Sequence, residues 1–144
     1  MILNIQTGQN NPILRKKSLE IKEINADILK LAKDMKKTLL KNEGLGLAAC
    51  QVGKNLRMFV ILKELSDKLV FINPEITKIS KKTELIEEGC LSLPSVFIKK
   101  ERAKSIKIKA VDENDKQFKV KANDMLARVI QHEIDHLNGK LIID

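Results

Sequence analysis

The only two histidines of this chain stand four residues apart, in Gln131-His132-Glu133-Ile134-Asp135-His136. On a helix that spacing points both imidazoles to one side, so that a single metal ion can sit between them, and the HExxH pattern adds a carboxylate next to the first ligand. At about 100° per residue, Met125, Val129, His132, Glu133 and His136 share one stripe, while Leu126, Ile130, Ile134 and Leu137 form a second stripe beside it. The second stripe is expected to anchor the helix in the core; the first presents two imidazoles, a carboxylate and apolar neighbours to a cavity. Asn123 is a candidate N-cap, and Gly139 follows Asn138 as a stop.

A catalytic site of this kind needs a third protein ligand and a position open to water. Downstream of His136 stands only Leu-Asn-Gly-Lys-Leu-Ile-Ile-Asp, with Ile142 where a metzincin would place its third histidine. The remaining ligand is therefore sought upstream, and the two cysteines are the best candidates. Cys90 lies in Glu87-Glu88-Gly89-Cys90-Leu91-Ser92-Leu93-Pro94, where Gly and Pro predict an irregular segment with backbone groups free to face a ligand. Cys50 lies in the Gly-rich stretch Gly44-Leu45-Gly46-Leu47-Ala48-Ala49-Cys50-Gln51-Val52-Gly53. Spacing favours Cys90 without excluding Cys50.

The rest of the chain supplies a frame for that helix. Residues 1 to 25 read as an irregular arm with a turn at Asn10-Asn11-Pro12. From Asp27 to Asn42, Ile28, Leu31, Ala32, Met35, Leu39 and Leu40 recur at helical spacing, with Gly44 as a stop. Arg57–Lys63, Leu69–Ile72 and Glu75–Ile79 read as short strands, the second closed by Asn73-Pro74. Ile106, Ile108 and Ala110 alternate with lysines, and after a turn at 112–116 Phe118 and Val120 resume the alternation, which predicts a hairpin with one wet face. Leu141–Ile143 is a candidate last strand. The fold expected is α+β: antiparallel β-sheets packed around a central helix carrying HExxH, with the 27–42 helix outside, in a single domain of residues 1–144.

At 144 residues, 43% hydrophobic and 32% charged, the chain matches a globular composition, and no apolar run reaches the roughly 18 residues of a membrane span. Met1-Ile-Leu-Asn-Ile-Gln lacks a charged n-region followed by an apolar stretch, so cytoplasmic residence with free thiols is expected. The net charge of +8 comes from lysines spread through every segment, and with no Trp, no Tyr and four Phe there is little to stack bases on. No specific nucleic-acid partner is expected. The Gly-rich stretch loosely fits GxGxxA, but a lysine-rich helix precedes it and β-like sequence follows, the reverse of a dinucleotide-binding turn.

Three segments in order, Gly44-Leu-Gly-Leu-Ala-Ala-Cys-Gln51, Glu88-Gly-Cys-Leu-Ser92 and Gln131 through Gly139, resemble the three motifs of the peptide deformylases, GφGφAAxQ, EGCLS and QHExDHLxG. That family removes the formyl group from N-formylmethionine on new polypeptides. The resemblance implies that Cys90, His132 and His136 ligate one divalent metal ion, Fe²⁺ in the cell with Zn²⁺, Ni²⁺ or Co²⁺ as substitutes. It makes Glu133 the general acid and base, and it places Gln51 and the backbone N–H of Leu91 at the oxyanion. Cys50 falls at a variable position of the motif and reads as a small packing residue. Leu45, Gly46, Gly89, Met125 and Val129 are the candidates to hold the methionine and its backbone, with Glu88, Arg102 and Asp135 as an ion-paired support for the ligands.

Further implications concern partners. The substrates would be N-formylmethionyl nascent polypeptides, met by a monomer in transient proximity to the ribosome. Many bacterial relatives continue into a C-terminal helix beyond the point where this sequence stops at Asp144, so a short form is expected. Two rival readings remain at this level: a metallopeptidase on the same helix, and a basic RNA-binding or structural module whose metal only supports folding.

Overall fold

The computed structural model describes all 144 residues. Three helices, α1 (Pro12–Arg15), α2 (Ala26–Lys41) and α3 (Asp124–Leu137), accompany seven strands: β1 (Gly46–Ala48), β2 (Met58–Ile61), β3 (Val70–Ile79), β4 (Thr83–Cys90), β5 (Leu93–Ala103), β6 (Ser105–Val111) and β7 (Gln117–Asn123). A 3-10 turn, Ala49–Val52, follows β1. The strands form a five-stranded sheet in the order β1-β2-β3-β6-β7 and a separate two-stranded sheet, β4-β5, with every ladder antiparallel. This is the expected α+β class, and no helix is long and apolar enough to cross a membrane.

The two faces of the large sheet carry two cores. Against α3, Phe59, Phe71, Ile106, Ile108 and Ala122 pack with Ala127, Ile130 and Leu137. On the opposite face, Met58, Val60, Val70 and Ile72 pack with Ile28, Leu31, Met35 and Leu39 of α2. The period-two alternation of β2 and β3 splits their side chains between these cores, which is why both strands read as continuous apolar runs. Asn25 caps α2 by accepting from the Ile28 amide, while Leu40, predicted on the buried stripe, is exposed.

Several local expectations are corrected. Asn73-Pro74 does not end a strand: β3 runs through it, with Asn73 at φ 49° and a register shift between Ile72 and Glu75 that absorbs the proline. The Asn73 side chain then bonds both the Ile21 amide and the Ile21 carbonyl, tying the arm to the sheet. Leu141–Ile143 forms no strand; Leu141 and Ile142 are instead buried in the α3 core. Asn123 occupies the N-cap of α3, but its side chain makes no capping bond.

The segment around Cys90 is partly as expected. Glu84 to Gly89 pair with Arg102 to Phe97 in unbroken register, so the residues before Cys90 are strand rather than loop. The register then shifts: Cys90 pairs with Leu93 across a turn at Leu91-Ser92, and Pro94 to Val96 have no partner in the ladder, so the chain after Cys90 is irregular as its composition predicts. A Cβ at Gly89 would come within 2.8 Å of the exposed Phe97 ring.

Candidate metal centre

α3 crosses the large sheet and meets both β1 and β5, so residues from three distant segments converge on its middle turn. Cys90 Sγ lies 3.3 Å from His136 Nε2, and His136 Nε2 lies 3.2 Å from His132 Nε2. These three donor atoms all fall within 4.8 Å of one another. Metal–sulfur and metal–nitrogen bonds of about 2.3 and 2.1 Å in a tetrahedron separate their donors by about 3.3–3.6 Å, so one thiolate and two imidazoles here fit a single divalent ion. Cys50, the alternative ligand, is fully buried and directs its sulfur to the His136 carbonyl at 3.6 Å; burial pushes its thiol up to about 12.

His132 is oriented from behind. Its Nδ1 lies 3.0 Å from Glu88 Oε1, leaving Nε2 for the donor cluster. Arg102 grips both oxygens of Glu88, at 2.9 and 3.0 Å, and reaches Asp135 at 2.5 Å. The two acids considered as alternative partners of Arg102 are therefore both engaged. Burial raises the Glu88 carboxyl, but bonds to His132 and Arg102 outweigh it and hold the group well below the ordinary range. Burial likewise opposes charge on His132, yet Cys90 and Glu88 beside it raise the imidazole to about 10; His136, more deeply buried and next to His132, is pushed far down.

Three supporting side chains had no role in the sequence reading. Arg128, buried on α3, donates to Glu88 Oε2 at 2.5 Å and to the carbonyls of Lys100 and Glu84, thus joining helix and hairpin. Its signal was a charged residue between Ala127 and Val129 on a face otherwise turned inward. Gln131 pairs with both backbone groups of Ala103 at 3.0 and 2.9 Å, much as a neighbouring strand would. Ser92 accepts from Gln51 Nε2 at 3.1 Å and fixes that amide.

Glu133 is 2% exposed, its Oε1 has no hydrogen-bond partner, and burial raises its carboxyl to about 7. A buried carboxyl that titrates near neutrality can both take and return a proton. Gly46 of β1 crosses directly over it: a Cβ at that position would stand 2.8 Å from Glu133 Oε2 and from Val129 Cγ1. Gln51 Oε1 accepts from the Ala48 amide, and its Nε2 lies 3.7 Å from Cys90 Sγ. The Leu91 amide, in the tight turn after Cys90, has no partner within the chain.

In front of these groups opens a cleft of about 590 Å³. Leu45, Gly46, Gly89, Met125 and Val129 all line it, as do Gln51, Cys90, Leu91, His132 and Glu133. Ile86 and Phe97 of the hairpin add an apolar rim that the sequence reading did not include.

A cysteine, two imidazoles and a buried carboxyl at the floor of an apolar cleft define a metal-dependent hydrolase. The family described as Polypeptide deformylase matches residues 2–144, and the chain belongs to that family. It is 46% identical over 138 residues to a peptide deformylase of Agrobacterium fabrum, covering 93% of this chain and 81% of that protein. A relative in Syntrophomonas wolfei is 44% identical over 135 residues, covering 93% and 87%. Among solved structures, the peptide deformylase of Thermotoga maritima superposes with a TM-score of 0.94 at 39% identity, covering 100% of this chain and 97% of that one. The peptide deformylase of Synechococcus elongatus, solved in complex with actinonin, gives a TM-score of 0.94 at 37% identity over 99% of this chain and 77% of that one.

Proposed function

We propose that the 144 residues act as one catalytic domain, a monomer working in the cytoplasm, that removes the formyl group from the N-terminal methionine of nascent polypeptides and releases formate. The observation that carries this reading is the convergence of Cys90, His132 and His136 within 4.8 Å beside the buried, unpartnered Glu133 oxygen. Cys90, His132 and His136 hold one divalent ion, Fe²⁺ by preference, with Zn²⁺, Ni²⁺ or Co²⁺ as substitutes. When bound, the ion supplies Lewis acidity toward water and the formyl carbonyl.

The chain's own groups carry the rest. Glu133 accepts the proton of the attacking water and returns it to the departing amine, a role that suits a carboxyl raised to about 7. The Gln51 amide and the Leu91 N–H meet the charge that builds on the formyl oxygen; losing one such donor costs about 3–4 kcal/mol in the barrier. Leu45, Met125 and Val129 enclose the methionine side chain, and the backbone at Gly46 and Gly89 pairs with an extended peptide. Glu88, Arg102 and Asp135 hold His132 in its ligating orientation.

The test is formate release from a formyl-methionyl peptide by anaerobically prepared, Fe²⁺-loaded protein, with Glu133→Gln in parallel. The proposal requires release by the parent and a loss of about 10²–10⁴-fold in the variant at unchanged metal content. Absence of release at one equivalent of bound metal would overturn it.

A further inference from the structure

Spread along the sequence, the lysines of β3, β6 and β7 look like a solvated surface, but the strand register collects them. Lys78 lies opposite Lys107, and Lys107 lies opposite Lys121, so three lysines stand in one row across three adjacent strands. The neighbouring row is Glu75, Lys109 and Lys119. All five lysines are exposed, and only Lys109 has an ionic partner, Glu75 at 3.3 Å. Strands lie about 4.8 Å apart, and alternate residues along a strand about 6.8 Å apart, so the ammonium groups form a tight array. Like charges directly opposite one another destabilise a sheet. Glu75 offsets part of that repulsion at Lys109, and the row of Lys78, Lys107 and Lys121 has no such partner.

The array has a defined place. Val111 of β6 packs against the α2 core, and by strand alternation Lys109 and Lys107 emerge on the same face. α2 covers this face over β1 and β2 and leaves the β6–β7 side open to solvent. The catalytic cleft lies on the α3 side. A partner on the lysine rows would therefore leave the cleft free.

We propose that this face binds the phosphate backbone of double-helical RNA. A regular cationic array matches a regular array of phosphates, and binding is driven by counterion release as each phosphate is neutralised. No aromatic side chain stands among the rows, so single-strand recognition by base stacking has no platform. No apolar side chain emerges between Lys107 and Lys109 or between Lys119 and Lys121, so the face has nothing to insert into a bilayer. Backbone recognition of duplex RNA by shape and phosphate contacts requires neither. The choice of RNA over DNA rests on the proposed action on nascent chains, which emerge from RNA-built machinery.

The experiment titrates the metal-loaded protein into a fluorescent RNA duplex of about 16 base pairs over a series of salt concentrations. The parent is compared with Lys78→Thr/Lys107→Thr/Lys121→Thr and with a charge-matched control, Lys17→Thr/Lys22→Thr/Lys54→Thr. The row variant should bind at least tenfold more weakly at low salt, and its log–log salt slope should be shallower by about 3, close to one per lysine removed. The control should bind as the parent does. Thermal denaturation should show the row variant at least as stable as the parent, since the substitutions remove opposed like charges. Formate release from a short formyl-methionyl peptide is measured in parallel and should be unchanged, which separates failure of RNA binding from failure of the deformylase reading. Equal loss of affinity in the control, no binding by the parent at low salt, or row-dependent binding to phosphatidylserine vesicles without binding to RNA would each overturn the proposal.

Discussion

Glu88 faces His132 Nδ1 with one carboxylate oxygen at 3.0 Å and gives the other to Arg102 and Arg128 together. The imidazole that points into the donor cluster is thus oriented by an acid that two guanidinium groups immobilise. Glu88→Gln keeps the shape and removes the charge. Metal retention against a chelator, and turnover with it, should fall by about 10–100-fold; unchanged retention would show that His132 needs no orienting anion.

Arg128 ties α3 to both strands of the β4–β5 hairpin through Glu88, Glu84 and Lys100. Arg128→Met leaves two carbonyls and part of a buried charge without a donor. The expected loss is about 3 kcal/mol, or on the order of 10 °C in melting temperature. A shift below a few degrees would mean that Arg102 alone secures the hairpin.

Gly46 and Gly89 both lie against side chains that a Cβ would strike, but the neighbours differ in freedom. At Gly46 the neighbour is the Glu133 carboxyl, wedged beside Val129. At Gly89 it is the ring of Phe97, which is 64% exposed and able to swing aside. Gly46→Ala should lower kcat by about 10²-fold through displacement of Glu133, and Gly89→Ala should lower it far less. Equal effects on kcat would remove the special role given to Gly46.

Gly139 ends α3 at φ 75°, and a Cβ there would collide with the Arg15 carbonyl oxygen. Gly139→Ala should cost at least about 1–2 kcal/mol from the left-handed conformation alone, with the contact adding to it. Chemical denaturation would read this as a lower midpoint at an unchanged slope.

Asp112 holds the β6–β7 turn by accepting the amides of Lys116 and Asn114 at 3.0 and 2.9 Å. The Lys116 amide is the main reason its carboxyl lies below the ordinary Asp value of 3.8, with burial opposing. A depressed folded-state value means that the unfolded chain takes up the proton first as pH falls. The stabilisation is therefore complete above pH 3.8 and is lost as pH drops through the lower folded value. Asp112→Asn should melt below the parent at neutral pH, and the gap should close at acid pH; a constant gap would assign the effect to shape rather than charge.

The helix carrying HExxH was legible because its signals are local and periodic. Two stripes on one helix gave the face that brings His132, Glu133 and His136 together, but Leu126 and Ile134 of the expected anchoring stripe are only half-buried, whereas Val129, Glu133 and His136 of the other are buried. The wet face of β6–β7 was legible for the same reason, since its lysines alternate with Ile106, Ile108 and Ala110. The strand before Cys90 was not, because Gly89 is a breaker by composition and becomes a strand residue only through its pairing with Phe97. Asn73-Pro74 misled in the same way, as the register shift that accommodates it belongs to the pairing with β6. Arg128 stayed hidden because its acceptors lie on other elements, 28 to 44 residues away. The lysine rows escaped notice because a row runs across strands, whereas a sequence runs along them.

The hairpin shares no ladder with the five-stranded sheet. A two-stranded ribbon by itself is marginal, and this one stands because Arg102, Arg128 and Gln131 fasten it to α3. Cys90 belongs to the ribbon while both histidines belong to the helix, so the three donors stand together only while those side-chain ties hold. The place for an ion is thus a property of the docking of two separate pieces of the fold, and neither piece possesses it alone.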